Sequence, residues 1–159
     1  MQTKLISLDT STKSTGAAIY INGELSTYKC FDHSSILASE ERLGKMVHSI
    51  LDFLSDEMPD IVAVETASVS RNAHTQRFLT MIIGAIYGMC VQNNCFFFSF
   101  RPSEWRKLIS DEKRPRKREE LKKWSKDQVK TKLNIETNND DVSDAILIGL
   151  AYINKFTEE

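Results

Sequence analysis

The sequence predicts an α/β domain: a five-stranded mixed sheet, its first three strands an antiparallel meander, flanked by helices. Three observations predict it. Two early apolar runs are joined by an Asn-Gly turn; later apolar runs alternate with long amphipathic segments; and two of the strand-like runs end in a carboxylate. Strands joined by tight turns pair antiparallel, whereas strands joined through a helix pair parallel, so the combination gives a mixed sheet with helices on both faces.

The elements follow in order. Residues 4–9 read as a strand ending in Asp9, and residues 16–21 as a second strand. Asn22-Gly23 is the preferred two-residue hairpin turn because both residues tolerate positive φ, and residues 24–31 return as a third strand. Residues 39–57 carry Leu43, Met46, Val47, Ile50, Leu51 and Leu54 on one helical face, and Pro59 closes that helix. Residues 60–65 form a short, nearly all-apolar strand ending in Glu65, the pattern of a strand buried on both faces. Residues 73–93 read as a long helix with Gly84 and Gly88 on one face, open to close packing against the sheet or a second subunit. Residues 95–100 are a fifth strand. Pro102 to Trp105 opens a short helix with Ser103 as its expected cap. Residues 110–118 read as an exposed charged loop, and residues 119–133 as a basic helix. Asn138-Asn139-Asp140 caps a last helix over 141–155. No internal repeat interrupts the order, so residues 1–159 read as a single domain.

Composition narrows the class. An apolar fraction of 41% and a charged fraction of 27% are those of a soluble globular chain. Three cysteines, Cys30, Cys90 and Cys95, form no C-x-x-C pair, which argues against a disulfide framework and a cysteine-rich zinc site. With no leader-like segment and no apolar run near the ~20 residues a bilayer requires, the expectation is a cytoplasmic protein with no membrane partner. His33, His48 and His74 show no metal-ligand spacing, although His74 lies near the loop after Glu65.

The net charge of −1 conceals an asymmetry. Residues 101–132 hold 13 Lys/Arg against 6 Asp/Glu, and the remainder holds 8 against 16. A basic segment on an acidic body suits a single surface that meets phosphate; a solvated helix and loop is the alternative. Lys113, Arg114, Arg116, Lys117 and Arg118, with Lys122 and Lys123 on the next helix, are the candidate DNA contacts. Such groups bind the phosphate backbone by charge, with little sequence information. Trp105 and Trp124 read as helix-packing residues rather than base-stacking ones.

The candidate site is a set of carboxylates. If the strands ending in Asp9 and Glu65 lie side by side and parallel, both acids leave the sheet at one carboxyl edge, where open α/β sheets place their sites. Asp141 and Asp144 are three apart on a helix and share a face. Each acid also has a plainer reading: turn amides for Asp9, a structural role for Glu65, helix-start electrostatics for Asp140, Asp141 and Asp144. Converging acids repel by roughly 4 kcal/mol per pair at ~4 Å and an effective dielectric of ~20. Such a cluster calls for hard cations, Mg²⁺ with Mn²⁺ as a substitute. Two ions about 4 Å apart suit phosphodiester hydrolysis. The i, i+3 spacing to Asp144 favours Asp141 over Asp140 as a ligand.

Five blocks carry a resemblance. Asp9-Thr10-Ser11-Thr12-Lys13-Ser14-Thr15-Gly16, Val62-Ala63-Val64-Glu65, Arg71-Asn72-Ala73, Lys126-Asp127-Gln128-Val129 and Asp141-Val142-Ser143-Asp144-Ala145 resemble, in order, the motifs of RuvC-type Holliday junction resolvases. The resemblance implies an RNase H-like fold and a homodimer that nicks symmetric strands of four-way DNA junctions. It implies that Asp9, Glu65, Asp141 and Asp144 hold the metals, with two ions per site. It implies a supportive catalytic role for Lys126, a second role of that type for Arg106, and DNA contact by Arg71. Ser68-Val69-Ser70 stands where the family places a wedge aromatic, and the basic segment is long. Both features resemble phage-encoded members acting in a bacterial host, and they widen the expected substrates to forks and flaps.

Two rivals of other classes remain on the sequence. A sugar-kinase or actin-like ATPase also opens on a hairpin meander with an Asp-containing loop, but it needs a duplicated domain and a second Gly-rich phosphate loop, and this chain has six glycines. A non-catalytic branched-DNA-binding module of the same fold predicts lost carboxylates. A nuclease of this fold acting on another nucleic acid is the third alternative.

Overall fold

The structure is a computed structural model that describes residues 1–66 and 72–157. Its strands are β1 (Lys4–Asp9), β2 (Ser14–Ile21), β3 (Glu24–Asp32), β4 (Ile61–Glu65) and β5 (Phe96–Phe100). Its helices are α1 (Ser39–Glu57), α2 (Ala73–Gln92), α3 (Pro102–Ile109), α4 (Arg118–Leu133) and α5 (Asp140–Thr157). All five strands form one sheet in the order β3-β2-β1-β4-β5. The meander β1-β2-β3 is antiparallel, and β1-β4 and β4-β5 are parallel. The predicted mixed sheet is therefore present. None of the described helices is long and apolar enough to cross a membrane.

Local chemistry accounts for the boundaries. Asn22 and Gly23 both take positive φ, 51° and 85°, as the hairpin turn requires. Helix α1 ends at Glu57, two residues before Pro59, because Met58 adopts the left-handed conformation and its N–H donates to Leu54 O. Ser103 is not the cap of α3. Arg101 holds that position, Glu104 accepts its backbone N–H at 2.7 Å, and Pro102 supplies the first helical residue. At α5 the cap is Asn139, whose Oδ1 accepts from Val142 N at 3.0 Å.

The sheet has a core on each face. Ile6, Leu8, Ile19, Val62 and Val64 pack beneath α1 and α2, while Leu5, Ala18, Tyr20 and Ala63 pack beneath α3, α4 and α5. This split follows from strand alternation, which sends successive side chains to opposite faces. Helix α5 lies very close to the sheet. A Cβ on Gly16 would collide with the Asp141 carbonyl and reach within 2.6 Å of Val142 N; one on Gly149 would collide with the Tyr20 ring and reach within 2.6 Å of Ser7 Oγ. Two hydroxyls fasten the contact: Ser7 donates to Ala145 O and Tyr20 to Ile146 O, each at 2.6 Å.

Candidate active site and nucleic-acid face

The parallel register of β1 and β4 pairs Leu8 with Val64. Asp9 and Glu65 are the next residues on these neighbouring strands, so both acids emerge at one sheet edge and on the α5 side. The first turn of α5 brings Asp141 and Asp144 to the same edge. Asp9 is not occupied by the turn that follows it, because Ser11 Oγ accepts the amides of Lys13 and Ser14 at 3.2 and 3.0 Å. Nor does Asp141 cap its helix, a role Asn139 fills.

Electrostatics tie the four acids together. Burial pushes the Asp9 carboxyl well above the usual carboxylate range, and repulsion from Asp144, Glu65 and Asp141 adds to this, against the attraction of Arg106. Burial raises Asp144 to about 6, with the Ser125 hydroxyl and Arg106 opposing and Glu65 and Asp141 reinforcing. Burial also raises Glu65, offset by hydrogen bonding from Trp105 and by Arg106. Asp141 is raised by burial, with Ser14 opposing.

Asp140 behaves differently. Its carboxyl is lowered: burial works against ionisation, and hydrogen bonding and charge from Lys126 and Lys122 outweigh it. The Asp140 carboxylate lies 2.9 Å from Lys126 Nζ and 3.3 Å from Lys122 Nζ.

Whether these residues suit a metal is decided by their donors. Among the described residues no three acidic, histidine or cysteine side chains are grouped as a bound ion would require. Yet Asp144 Oδ1 is buried and lacks a hydrogen-bond partner. An orphaned carboxylate oxygen beside three other acids, with Arg106 as compensating charge, is a donor set for a hard cation. The chemistry of these donors, rather than their present spacing, suits a divalent ion.

Arg106 stands closer to the four acids than the sequence indicates. Its charge reaches Asp9, Glu65 and Asp144, and its guanidinium lies over the Trp105 ring, 4.8 Å from the centroid. Its Nε is buried without a hydrogen-bond partner. Lys126 and Lys122 line the Asp140 side. Lys113, Arg116, Lys117, Arg118 and Lys123 are exposed in the loop before α4 and on α4 itself, and Arg114 is half-buried and donates to Ser110 O at 3.3 Å. Arg71 lies outside the described residues, as do Ser68, Val69 and Ser70.

Three contributors escaped the sequence reading. Trp105 is fully buried and its indole N–H donates to Glu65 Oε2 at 2.5 Å. Ser125 serves Asp144. Gly149 admits α5 to the sheet. The signal for Gly149 was its i+4 spacing from Ala145. His48 is exposed; His74 is exposed and sits on Phe78, ring centroids 4.2 Å apart. Gly84 and Gly88 do not pack against the sheet: open space surrounds both.

No family model matches the chain. A crossover junction endodeoxyribonuclease RuvC of Caldicellulosiruptor saccharolyticus is 26% identical over 157 residues, covering 94% of this chain and 92% of that protein. Thermus thermophilus RuvC, solved in complex with a Holliday junction substrate, superposes with a TM-score of 0.76 at 15% identity, covering 98% of this chain and 96% of that one. The fold is that of the RuvC-type resolvases. The Fowlpox virus resolvase, solved with its substrate Holliday junction DNA, is also similar in fold, at TM-score 0.67 and 18% identity over 96% of this chain and 97% of that one. The RuvC-type, RNase H-like architecture extends over nearly the whole chain.

Proposed function

We propose that this chain is a metal-dependent endonuclease that cuts Holliday junctions and other branched DNA, such as forks and flaps. The observation that carries the reading is the convergence of Asp9, Glu65, Asp141 and Asp144 at one sheet edge with Arg106 as their counter-charge. The RuvC relative and the two resolvase structures with junction DNA support it.

The four carboxylates would hold two Mg²⁺ ions, with Mn²⁺ as substitute. Divalent ions at such a site neutralise phosphate charge and make water a better nucleophile. The chain's own part is positional. Burial keeps the acids in a low-dielectric edge where their charge acts strongly. Arg106, whose charge reaches Asp9, Glu65 and Asp144, and Lys126, paired with Asp140 at the rim, would meet the negative charge that grows on the phosphate in the transition state. Lys113, Arg114, Arg116, Lys117, Arg118, Lys122 and Lys123, with Arg71, hold the strand by its backbone. Branched DNA is distinguished by shape, so such contacts are sufficient.

The reading includes a homodimer in the cytoplasm, the host's if the gene is phage-borne. Symmetric incision requires two sites. The exposed stripe of α2, with Met81, Tyr87 and Val91 around Gly84 and Gly88, supports an interface there.

The test is a panel of labelled four-way junctions, forks, flaps and linear duplex with Mg²⁺, Mn²⁺ or chelator. Branched substrates should be cut and the linear duplex spared. Asp9→Asn and Glu65→Gln should bind junctions and not cut them. Cleavage that survives either substitution, or persists in chelator, overturns the reading.

A further inference from the structure

Helix α3 is anchored where the site needs it. Phe100, at the end of β5, pairs with Glu65 at the end of β4. The chain turns directly into α3, whose start is set by Pro102 and by the Glu104 bond to Arg101 N. One turn later Trp105 is fully buried, with its ring 6.4 Å from that of Trp124 and Arg106 over its face. A buried indole N–H must find an acceptor. Trp105 finds Glu65 Oε2 at 2.5 Å.

A bond of this kind to an ionised carboxylate is charge-assisted and directional. It holds one oxygen and so restrains rotation of the carboxylate, leaving Oε1 as the oxygen available to a cation. Packing alone would not require an N–H: Phe fills most of the same space.

We propose that Trp105 is a positioning residue that orients Glu65 for divalent-cation binding, and that its indole consequently senses the ion. The proposal rests on the nuclease reading for the role of Glu65. Partners that orient metal ligands change affinity or activity by ~10–100-fold when removed.

The experiment uses the full chain and Mg²⁺. Trp105→Phe keeps the ring and loses the donor. It should raise the Mg²⁺ concentration for half-maximal junction cleavage at least tenfold, while the rate at saturating Mg²⁺ stays within about threefold of the parent. The second readout needs no activity. The chain has two tryptophans, so Trp124→Phe leaves Trp105 as the sole emitter. Its fluorescence should change saturably on Mg²⁺ addition without DNA, and Glu65→Gln should remove that change. An unaltered Mg²⁺ requirement in Trp105→Phe, or Trp105 emission indifferent to Mg²⁺, overturns the proposal while junction cleavage by the parent stands. Emission that responds with no cleavage of any branched substrate supports Trp105 as the ion's sensor and defeats the nuclease reading instead. Should Trp105→Phe fail to fold, the ¹⁵N-labelled parent decides. The Trp105 indole N–H should exchange slowly and shift in Glu65→Gln, and an unshifted signal overturns the proposal.

Discussion

The ammonium of Lys126 stands 2.9 Å from the carboxylate of Asp140, the residue immediately before Asp141. One helical step thus separates an acid of the proposed cation site from one that holds lysines at its rim. Lys122 joins the same carboxylate at 3.3 Å. A partly exposed ion pair of this kind contributes only ~0–1 kcal/mol to folding, so Asp140→Asn should leave the melting temperature nearly unchanged. It should lower junction cleavage about tenfold at saturating DNA, because Lys126 loses its anchor. Binding should become tighter and more salt-sensitive, with the log–log slope steeper by ~1 for each lysine released. A salt titration of junction binding beside single-turnover rates checks both.

Gly16 is the narrowest point between sheet and helix. Gly16→Ala should push α5 off β2 and carry Asp141 with it, destabilising the fold by about 3 kcal/mol through overpacking. Cleavage should fall by more than the unfolded fraction accounts for. Gly44, with open space around it, is the control: Gly44→Ala should be neutral or slightly stabilising by helix propensity. Thermal melts and cleavage assays on the two variants check the contrast.

Asp144 links stability to pH. Its folded value of about 6 lies above the ordinary aspartate value of 3.8. The folded state therefore holds the proton more tightly, and stability falls as pH rises between these values. The loss is up to about 3 kcal/mol, at ~1.4 kcal/mol per pH unit. Without divalent ions, Asp144→Asn should raise the melting temperature by several degrees at pH 7.5 and by little at pH 4. Added Mg²⁺ should do the same for the parent at pH 7.5. Cleavage should rise with pH through about 6, as Asp144 becomes free to accept a cation. Melting curves at both pH values with a pH–rate profile test the set.

The open α2 stripe gives the dimer prediction. Gly88→Lys adds helix propensity of up to about 1 kcal/mol, and a Cβ at this exposed position meets no neighbour within 4 Å, so the folded chain should be at least as stable. It should nevertheless sediment as a monomer at micromolar concentration where the parent should sediment as a dimer, and should nick one junction strand without the paired cut.

Asp9 and Glu65 were legible because strand periodicity needs only local sequence, and each closes an apolar run. The pairing of Asp141 with Asp144 was legible from helix geometry. The direction taken by Asp140 was not: its lysines lie on another helix, and a spacing rule has no access to them. Small residues show the same limit. Gly84 with Gly88 and Ala145 with Gly149 have identical spacing, yet only the second pair lies beneath the sheet. What separates them is burial, which the equally apolar sequence around both pairs does not reveal: Val142, Ile146, Leu147 and Ile148 are buried beside the second pair, whereas Met81, Tyr87 and Val91 beside the first are exposed. Trp105 was read as packing, which is correct as far as burial goes. Its hydrogen bond crosses 40 residues of sequence and depends on where β5 ends.

Ser7 and Tyr20 bind the carbonyls of Ala145 and Ile146 from beneath. Apolar contact has no direction, and a helix held by it alone can rotate or slide as core volumes drift. Hydroxyl-to-carbonyl bonds have direction, and these two set the phase and axial position of α5 against β1 and β2. Tolerance is thereby divided. The greasy interior is free to diverge through generations of substitution, while the separation between strand-borne and helix-borne acids keeps the fixed gauge of two rivets.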